Sequence, residues 1–389
     1  MKILYLTFYF EPDLCAGSFR NTPLAKELAR QSLEHQIEVK VITTQPNRYS
    51  TFKKEAAEIE KRDNLIIKRI SISEHRSGFA DQIVSFRSYY SQVLQEIENE
   101  SFDLVFASSS RLFTAYLGYK IAKKNNIPLY LDIRDLFTDT MEDMLQIPLI
   151  KKPFLLYLKY LEKKIFNYAQ HINLISGGFN PHVSKYNIKN ISNYSHGIDF
   201  KFVNCVSDKK FNPEAQIITY AGNIGEGQGL HKIVPRAAEL LGDNYQFRII
   251  GDGGTKDKLL EAIKEKKLTN VILESPVSRE KLINAYSESD YMFIHLNDYE
   301  AFKKVMPSKI FELGAINRPI IAGVAGFARK FMESNLENII LFDPGNVNEM
   351  VDKIRSYKYQ TLSRSVFIDN FDRENINRKM ASSILSLIA

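Results

Sequence analysis

The 389-residue chain has no tryptophan and only two cysteines, Cys15 and Cys205. Two isolated cysteines make neither a disulfide framework nor a zinc site, and they fit a reducing compartment. No stretch of about 18 apolar residues is present, which excludes a membrane-spanning helix. The opening run Met1-Lys2-Ile3-Leu4-Tyr5-Leu6 lacks the long apolar core and small-residue cleavage site of a signal peptide. It reads as a first buried strand, and a cytoplasmic location is expected. Strong charge is missing as well. The formal net charge is +6 and the pI near 8.9, too mild for a nucleic-acid binder, whose basic residues cluster on one face. No internal repeat or low-complexity linker interrupts the chain.

What is present is a soluble globular composition, 44% hydrophobic and 25% charged, at a length that suits two domains. Strand-like apolar runs alternate with amphipathic stretches, the pattern of a parallel sheet covered on both faces. In the first half, strands are expected at Ile3–Phe8, Glu38–Thr43, Asp103–Ala107, Pro128–Ile133 and Ile172–Ile175. A helix is expected over Thr22–Gln31, with Pro23 in its first turn, and another from about Arg111 to Lys124. The pattern restarts near residue 216, with strands at Gln216–Ala221, Tyr245–Ile250, Val271–Leu273, Tyr291–His295, Pro319–Ala322 and Ile339–Phe342. A terminal helix follows over Glu374–Ile388. The fold class is α/β, two doubly wound Rossmann-like domains. Their boundaries are expected at 1–200 and 201–370, with 371–389 a helix packing back on the first domain. Ligands bind such sheets beyond the carboxyl ends of the strands, and a cleft between two such halves is the natural site.

Four segments carry candidate chemistry. The loop after the first strand holds Gly17, Ser18 and Arg20. Gly17 would let the backbone approach a ligand, and Arg20 could grip a phosphate with two N–H groups; an ordinary strand-to-helix loop reads equally well. In the second, Tyr220-Ala221-Gly222-Asn223-Ile224-Gly225-Glu226-Gly227-Gln228-Gly229, four glycines fall within eight residues between strand and helix. That resembles a phosphate-cradling loop, although no Gly-Lys-Ser/Thr follows, so it is no P-loop; a flexible turn is the alternative. Gly251-Asp252-Gly253-Gly254 repeats glycine at a neighbouring strand end. The fourth is Pro307-Ser308-Lys309-Ile310-Phe311-Glu312. Pro307 suits a helix start, which puts Ser308 and Lys309 in the first turn. A lysine there opposes the helix macrodipole, and a bound diphosphate would reverse that sign. Glu312 falls one turn after Ser308, and a carboxylate can accept both hydroxyls of a ribose. A solvated Lys and Glu is the plainer reading.

In order and spacing, Tyr220–Asn223, Ile250–Gly253 and Pro307–Glu312 resemble the three donor-site signatures of the retaining glycosyltransferases of the GT-B fold, family 4. Ser195-His196-Gly197-Ile198-Asp199 resembles the element that closes the family's first half. Within the family the chain is most similar to bacterial O-antigen and capsule transferases, including those that move N-acetyl-L-fucosamine. The resemblance implies two Rossmann-like domains facing across a cleft. It implies transfer of a sugar, an N-acetylated or deoxy hexose, from a nucleotide diphosphate, expected to be UDP, with retention and with neither metal nor cofactor. The acceptor implied is a polyprenyl-diphosphate-linked saccharide.

By the same resemblance Glu312 holds the ribose, the backbone near Val277 meets the base, and Gly17, Ser18, Gly222, Asn223, Gly225, Gly251, Gly253, Pro307 and Ser308 line the donor site. The sequence departs from the family's pattern at four points. Lys304 stands where a Glu is common, with Glu300 out of register. Asn223 and Gln228 replace a basic pair, which leaves diphosphate charge to Lys309, Arg20 or Lys304. Arg134 replaces the first half's usual His, which makes Asp135 the expected polar group at the reacting hydroxyl, a structural cap being its other reading. His196 replaces an Asn and reads as structural. Lysines and large apolar residues mix in 151–166, which reads either as a surface for an anionic membrane or as a core helix with solvated lysines. A sugar-nucleotide 2-epimerase of the same architecture and a non-catalytic scaffold are the competing functions.

Overall fold

The computed structural model describes residues 1–47, 55–72, 79–109, 112–145, 148–203 and 210–388; Cys205 and Arg111 lie outside them. Two compact units divide the chain. One comprises Met1–His196 with Glu374–Ala389, the other Gly197–Arg373.

The first unit is built on eight strands: β1 (Lys2–Leu6), β2 (Glu38–Thr44), β3 (Ile59–Arg62), β4 (Leu65–Ile70), β5 (Leu104–Ser109), β6 (Leu129–Ile133), β7 (His171–Leu174) and β8 (Ile191–Ser192). Their order is β3-β4-β2-β1-β5-β6-β7-β8. All pairs are parallel except β3 with β4. The central strands β1, β5 and β6 are buried along almost their whole length because helices cover both faces. Those helices are α1 (Ala16–Ser32), α2 (Phe79–Glu96), α3 (Leu112–Asn125), α4 (Phe137–Met144), α5 (Pro148–Tyr168) and the short α6 (Asn180–Val183). Helix α1 begins at Ala16, earlier than the expected Thr22, so Pro23 lies inside it. The cost is one i→i−4 hydrogen bond. The β3–β4 hairpin was not expected; its outer strand Ile-Glu-Lys-Arg is an exposed edge without an apolar face.

The second unit starts with α7 (Phe200–Val203) and continues as β9 (Gln216–Asn223), α8 (Leu230–Leu241), β10 (Tyr245–Asp252), α9 (Lys256–Glu265), β11 (Val271–Glu274), α10 (Arg279–Ser287), β12 (Tyr291–His295), α11 (Lys309–Gly314), β13 (Ile320–Gly323), α12 (Gly326–Asn335), β14 (Ile339–Phe342), α13 (Val347–Ser356) and α14 (Ser365–Asn370). The strand order is β11-β10-β9-β12-β13-β14, all parallel. The order reverses between β9 and β12, and a doubly wound sheet binds ligands outside the carboxyl ends at such a switch point. Last comes α15 (Arg373–Leu385). Its Met380, Ala381 and Ile384 are buried in one apolar cluster with Ile3, Leu24 and Phe106 of the first unit.

Candidate active site

The glycine-bearing strand ends of the second unit are part of its ladder. Strands β9 and β10 each run two residues beyond the expected ends, pairing Gly251 with Gly222 and Asp252 with Asn223. A Cβ on Gly251 would strike the Gly222 carbonyl oxygen, so two backbones approach there more closely than any side chain allows. Beyond the ladder, the Ile224 N–H donates to Asp252 O at 2.8 Å, and Thr255 Oγ1 donates back to Ile224 O at 2.9 Å. The loop from Gly225 to Gly229 is held from several sides. Asn223 Nδ2 donates to Gln228 Oε1 at 2.8 Å, and a Cβ on Gly225 would run into Asn223. A Cβ on Gly227 would lie 2.9 Å from the Phe302 ring, and Gly229 takes φ +59° against Asn297. A Cβ on Gly253 would lie 2.6 Å from Ile224 O. Gly222, Asn223, Gly225, Gly251 and Gly253 therefore form one interlocked rim rather than a flexible turn.

His295 at the end of β12 supports that rim. Its Nδ1 is 2.7 Å from Gln228 O, and Gly345 N–H donates to its Nε2 at 3.0 Å. The carbonyl requires a proton on Nδ1 and the amide requires a lone pair on Nε2, so the ring is neutral. Burial holds its pKa below the ordinary value, in agreement.

Across the switch point, the Lys309 stem reaches the same rim: a Cβ on Gly222 would lie 3.6 Å from Lys309 Cε. Ser308 is the N-cap of the six-residue α11, after Pro307 in the preceding loop, and makes no side-chain cap bond. Lys309 Nζ bridges to Glu312 Oε2 at 2.7 Å and lies 3.5 Å from the Tyr286 hydroxyl. Glu312 is 4% exposed. Burial disfavours both charges. The pair outweighs it, holding Lys309 above the ordinary lysine pKa and Glu312, helped by Arg279 and Arg373, below the carboxylate range. Glu312 faces Lys309, one turn away at i,i+3.

Sequence reasoning passed over the cations behind Glu312. Arg279 opens α10, and its Nη2 lies 2.8 Å from Asp199 Oδ2. Arg373 Nη1 reaches the same oxygen at 3.1 Å, and its Nη2 donates to Gly197 O at 3.1 Å. Asp199 belongs to the Ser195–Asp199 element, so that signature fastens two arginines beside the buried carboxylate. A cation in a helix's first turn is disfavoured by the macrodipole; the signal that singled out Lys309 is present at Arg279 too. Val277, two residues earlier, packs against the apolar cluster containing Tyr286, Ile310 and Phe311. Lys304 ends the turn Phe302–Lys304. Glu300 pairs with Lys303 at 2.6 Å and is exposed.

In the first unit Arg20 serves the interior. It is 2% exposed and grips the fully buried Asp132 through two bonds of 2.7 Å. It also donates to Ser195 O at 2.7 Å and Tyr194 O at 3.0 Å. Asp132 accepts further from Asn173 and Ser108. The phosphate grip expected of Arg20 is thus replaced by a clamp joining α1, β6 and the Tyr194–Ser195 segment. Ser18 is buried in the same helix. Arg134 lies beside Gly17, where a Cβ would come within 2.9 Å of its Nη1. Burial lowers the Arg134 pKa, and Arg20 adds repulsion.

Asp135 follows, half-buried, and accepts a long 3.4 Å bond from Thr140 Oγ1. Burial pushes its carboxyl up to about 6. A second cluster braces its helix. Glu162 of α5 accepts from Thr138 Oγ1 at 2.7 Å and Tyr186 OH at 2.6 Å, and meets His182 Nε2 at 2.5 Å. His182 Nδ1 lies 3.3 Å from Asp139. Burial works against the imidazolium, but the two carboxylates raise His182 to about 9.

Residues 206–372 match the family of glycosyl transferases group 1, a span that holds both glycine strand ends, Arg279, Lys309 and Glu312. The second unit carries a group 1 glycosyl transferase domain. A curated relative, the putative colanic acid biosynthesis glycosyl transferase WcaI of Escherichia coli K12, is 27% identical over 175 residues, 43% of each chain; less than half of that relative's length is matched. Solved structures match over nearly the whole chain. HepE of Anabaena, solved with UDP-glucose, gives a TM-score of 0.68 at 14% identity, covering 99% of this chain and 100% of that one. The lipopolysaccharide outer core galactosyltransferase WaaB gives 0.57 at 15%, covering 99% of each. Sucrose-phosphate synthase of Thermosynechococcus elongatus gives 0.66 at 12%, covering 98% and 94%. At these identities the likeness establishes the fold, GT-B, around the transferase domain.

Proposed function

We propose that the protein is a retaining, family 4 glycosyltransferase of surface polysaccharide synthesis. It moves an N-acetylated or deoxy hexose from a UDP-sugar to a polyprenyl-diphosphate-linked saccharide, of O-antigen or capsule type, without a metal or cofactor. The observation that carries this reading is the Lys309–Glu312 pair, its carboxylate buried, set against Gly222 at the switch point of the second sheet. UDP or UDP-glucose accompanies HepE in its solved structures, which supports a uridine donor here.

Donor binding exchanges one set of charges for another. The ribose diol donates to the Glu312 carboxylate, and the diphosphate takes over Lys309, whose ammonium balances the charge that grows on the leaving group. Pro307 and Ser308 set the entry of that segment, Lys304 supplies nearby positive charge, and the backbone at Val277 meets the base. Arg279 and Arg373 keep Glu312 ionised throughout. In the first unit Asp135 accepts a proton from the acceptor hydroxyl, with Gly17 and Arg134 beside it. Leu156 of α5 is 63% exposed among lysines, which supports contact of 151–166 with an anionic membrane from the cytoplasmic side; no helix among the described residues is long and apolar enough to cross one.

The test is turnover of UDP-sugars with and without a lipid-linked acceptor. Transfer only when acceptor is present, with the anomeric configuration kept, is the expected result. Rapid epimerisation of the donor alone would replace the reading by that of a 2-epimerase.

A further inference from the structure

A groove of about 1010 Å³ opens in the first unit between the later turns of α2, α3 and α5. Within the first unit it lies toward the opposite end of the strands from Asp135. The turns that line it, Leu94–Glu98, Lys120–Asn125 and Tyr157–Lys164, lead into the amino ends of β5, β6 and β7, whereas Asp132 to Asp135 lie at the carboxyl end of β6.

Two kinds of side chain dominate its wall. One is tyrosine. The Tyr90 and Tyr116 rings stack at 6.4 Å with 17° between planes, Tyr116 meets Tyr119 at 6.3 Å, and Tyr160 is 53% exposed at the rim. The other is lysine. Lys123 Nζ lies 5.5 Å from the centre of the Tyr119 ring and Lys164 Nζ 4.4 Å from that of Tyr160, with Lys120 and Lys124 alongside. The acids in the wall are Glu98 and Glu100, and Glu100 is already paired with Lys2 and Lys40. The net field is positive.

The size is that of an ordinary ligand cleft, roughly 300–1,000 Å³, and far exceeds the need of a single ion. Flat tyrosine faces receive the C–H faces of sugar rings while their hydroxyls stay available for hydrogen bonds. Lysines spaced along the trough receive carboxylates. The groove is also separate from the surface offered to a membrane. At about 100° per residue, Lys152, Leu156, Lys159 and Lys163 form one stripe of α5, and Tyr157, Tyr160, Leu161 and Lys164 form another about a third of a turn away.

We propose that this groove binds an acidic saccharide, a segment of glycan bearing carboxylates, away from Asp135 of the same unit. The class of ligand rests on the glycosyltransferase reading; the binding itself does not require turnover. The test is titration of the full-length protein with tetragalacturonate at low salt, beside neutral maltotetraose and vesicles of phosphatidylcholine and phosphatidylglycerol. Tetragalacturonate binds, more tightly than maltotetraose. Lys123→Glu with Lys164→Glu weakens it roughly tenfold or more, two exposed charges being reversed. Tyr160→Ala weakens it too, and stabilisation by UDP is the same in all variants. No binding of tetragalacturonate, binding indifferent to these substitutions, or loss of vesicle binding alone would each overturn the proposal. Failure of UDP to bind the wild-type protein would instead strike the donor reading and leave the groove as it is.

Discussion

Lys309→Met keeps the stem that packs beside Gly222 and removes the charge. Two losses follow, and they can be measured separately. Glu312, 4% exposed, loses its partner at 2.7 Å. Breaking a fully buried pair costs about 3–5 kcal/mol. The Lys309 side chain keeps 25% of its exposure, and Arg279 and Arg373 still act on Glu312, so about 2–3 kcal/mol is expected here. For a unit of this size that lowers the Tm by roughly 4–12 °C. Catalysis is hit through a different state. A cation that meets charge developing on the diphosphate contributes mainly in the transition state, so kcat/KM falls by about 10²–10³, or ~2.7–4 kcal/mol. Lys309→Arg restores the charge without the geometry and recovers part of each loss. The assay is initial-rate turnover of UDP-sugar with acceptor, well below the variant's Tm. A lowered Tm with kcat/KM unchanged within roughly a factor of two would refute the reasoning and make Lys309 a structural cation.

Arg20→Lys cannot reproduce the two-bonded grip on Asp132 and destabilises the first unit by about 2–4 kcal/mol in a denaturant titration, while UDP affinity is unchanged. His182 carries a folded pKa of about 9, above the unfolded value near 6.5, so its contribution is complete below that lower value and fades as pH rises through about 9. His182→Gln accordingly lowers Tm by more at pH 6 than at pH 10; equal shifts would remove the ion cluster from the account. Asp135, raised to about 6, must be ionised to accept a proton, so kcat/KM is expected to fall below about pH 6, and Asp135→Asn abolishes that limb together with most of the activity.

The α/β alternation was legible because the central strands of both sheets are parallel and buried on both faces, which writes them as short runs dominated by apolar residues. The β3 edge strand, Ile59–Arg62, left no such run because it is exposed and antiparallel. The site was legible where its chemistry is local: Pro307–Glu312 announces a cation and a carboxylate one turn apart. It was illegible where partners come from distant segments. Nothing near Arg20 in sequence says that Asp132 awaits it 112 residues on. Nor does Asp199 reveal that it lies between Arg279 and Arg373. The glycines were only partly legible. Their density left a phosphate-cradling loop and a flexible turn both open; the crowding of Gly222, Gly251 and Gly253 by backbones and neighbouring side chains removes the flexible turn.

Equilibrium titration of UDP into the 389-residue protein and its Glu312→Gln variant decides whether Glu312 holds the ribose of a bound nucleotide. The wild type is expected to bind saturably. Binding weakened at least tenfold, about 1.4 kcal/mol, is expected in the variant, because a charged acceptor for the ribose hydroxyls is lost. A smaller penalty is expected for 2′,3′-dideoxy-UDP, which lacks those hydroxyls. Wild-type protein that binds no nucleotide diphosphate, or a variant that binds UDP as tightly as the wild type, would contradict that role.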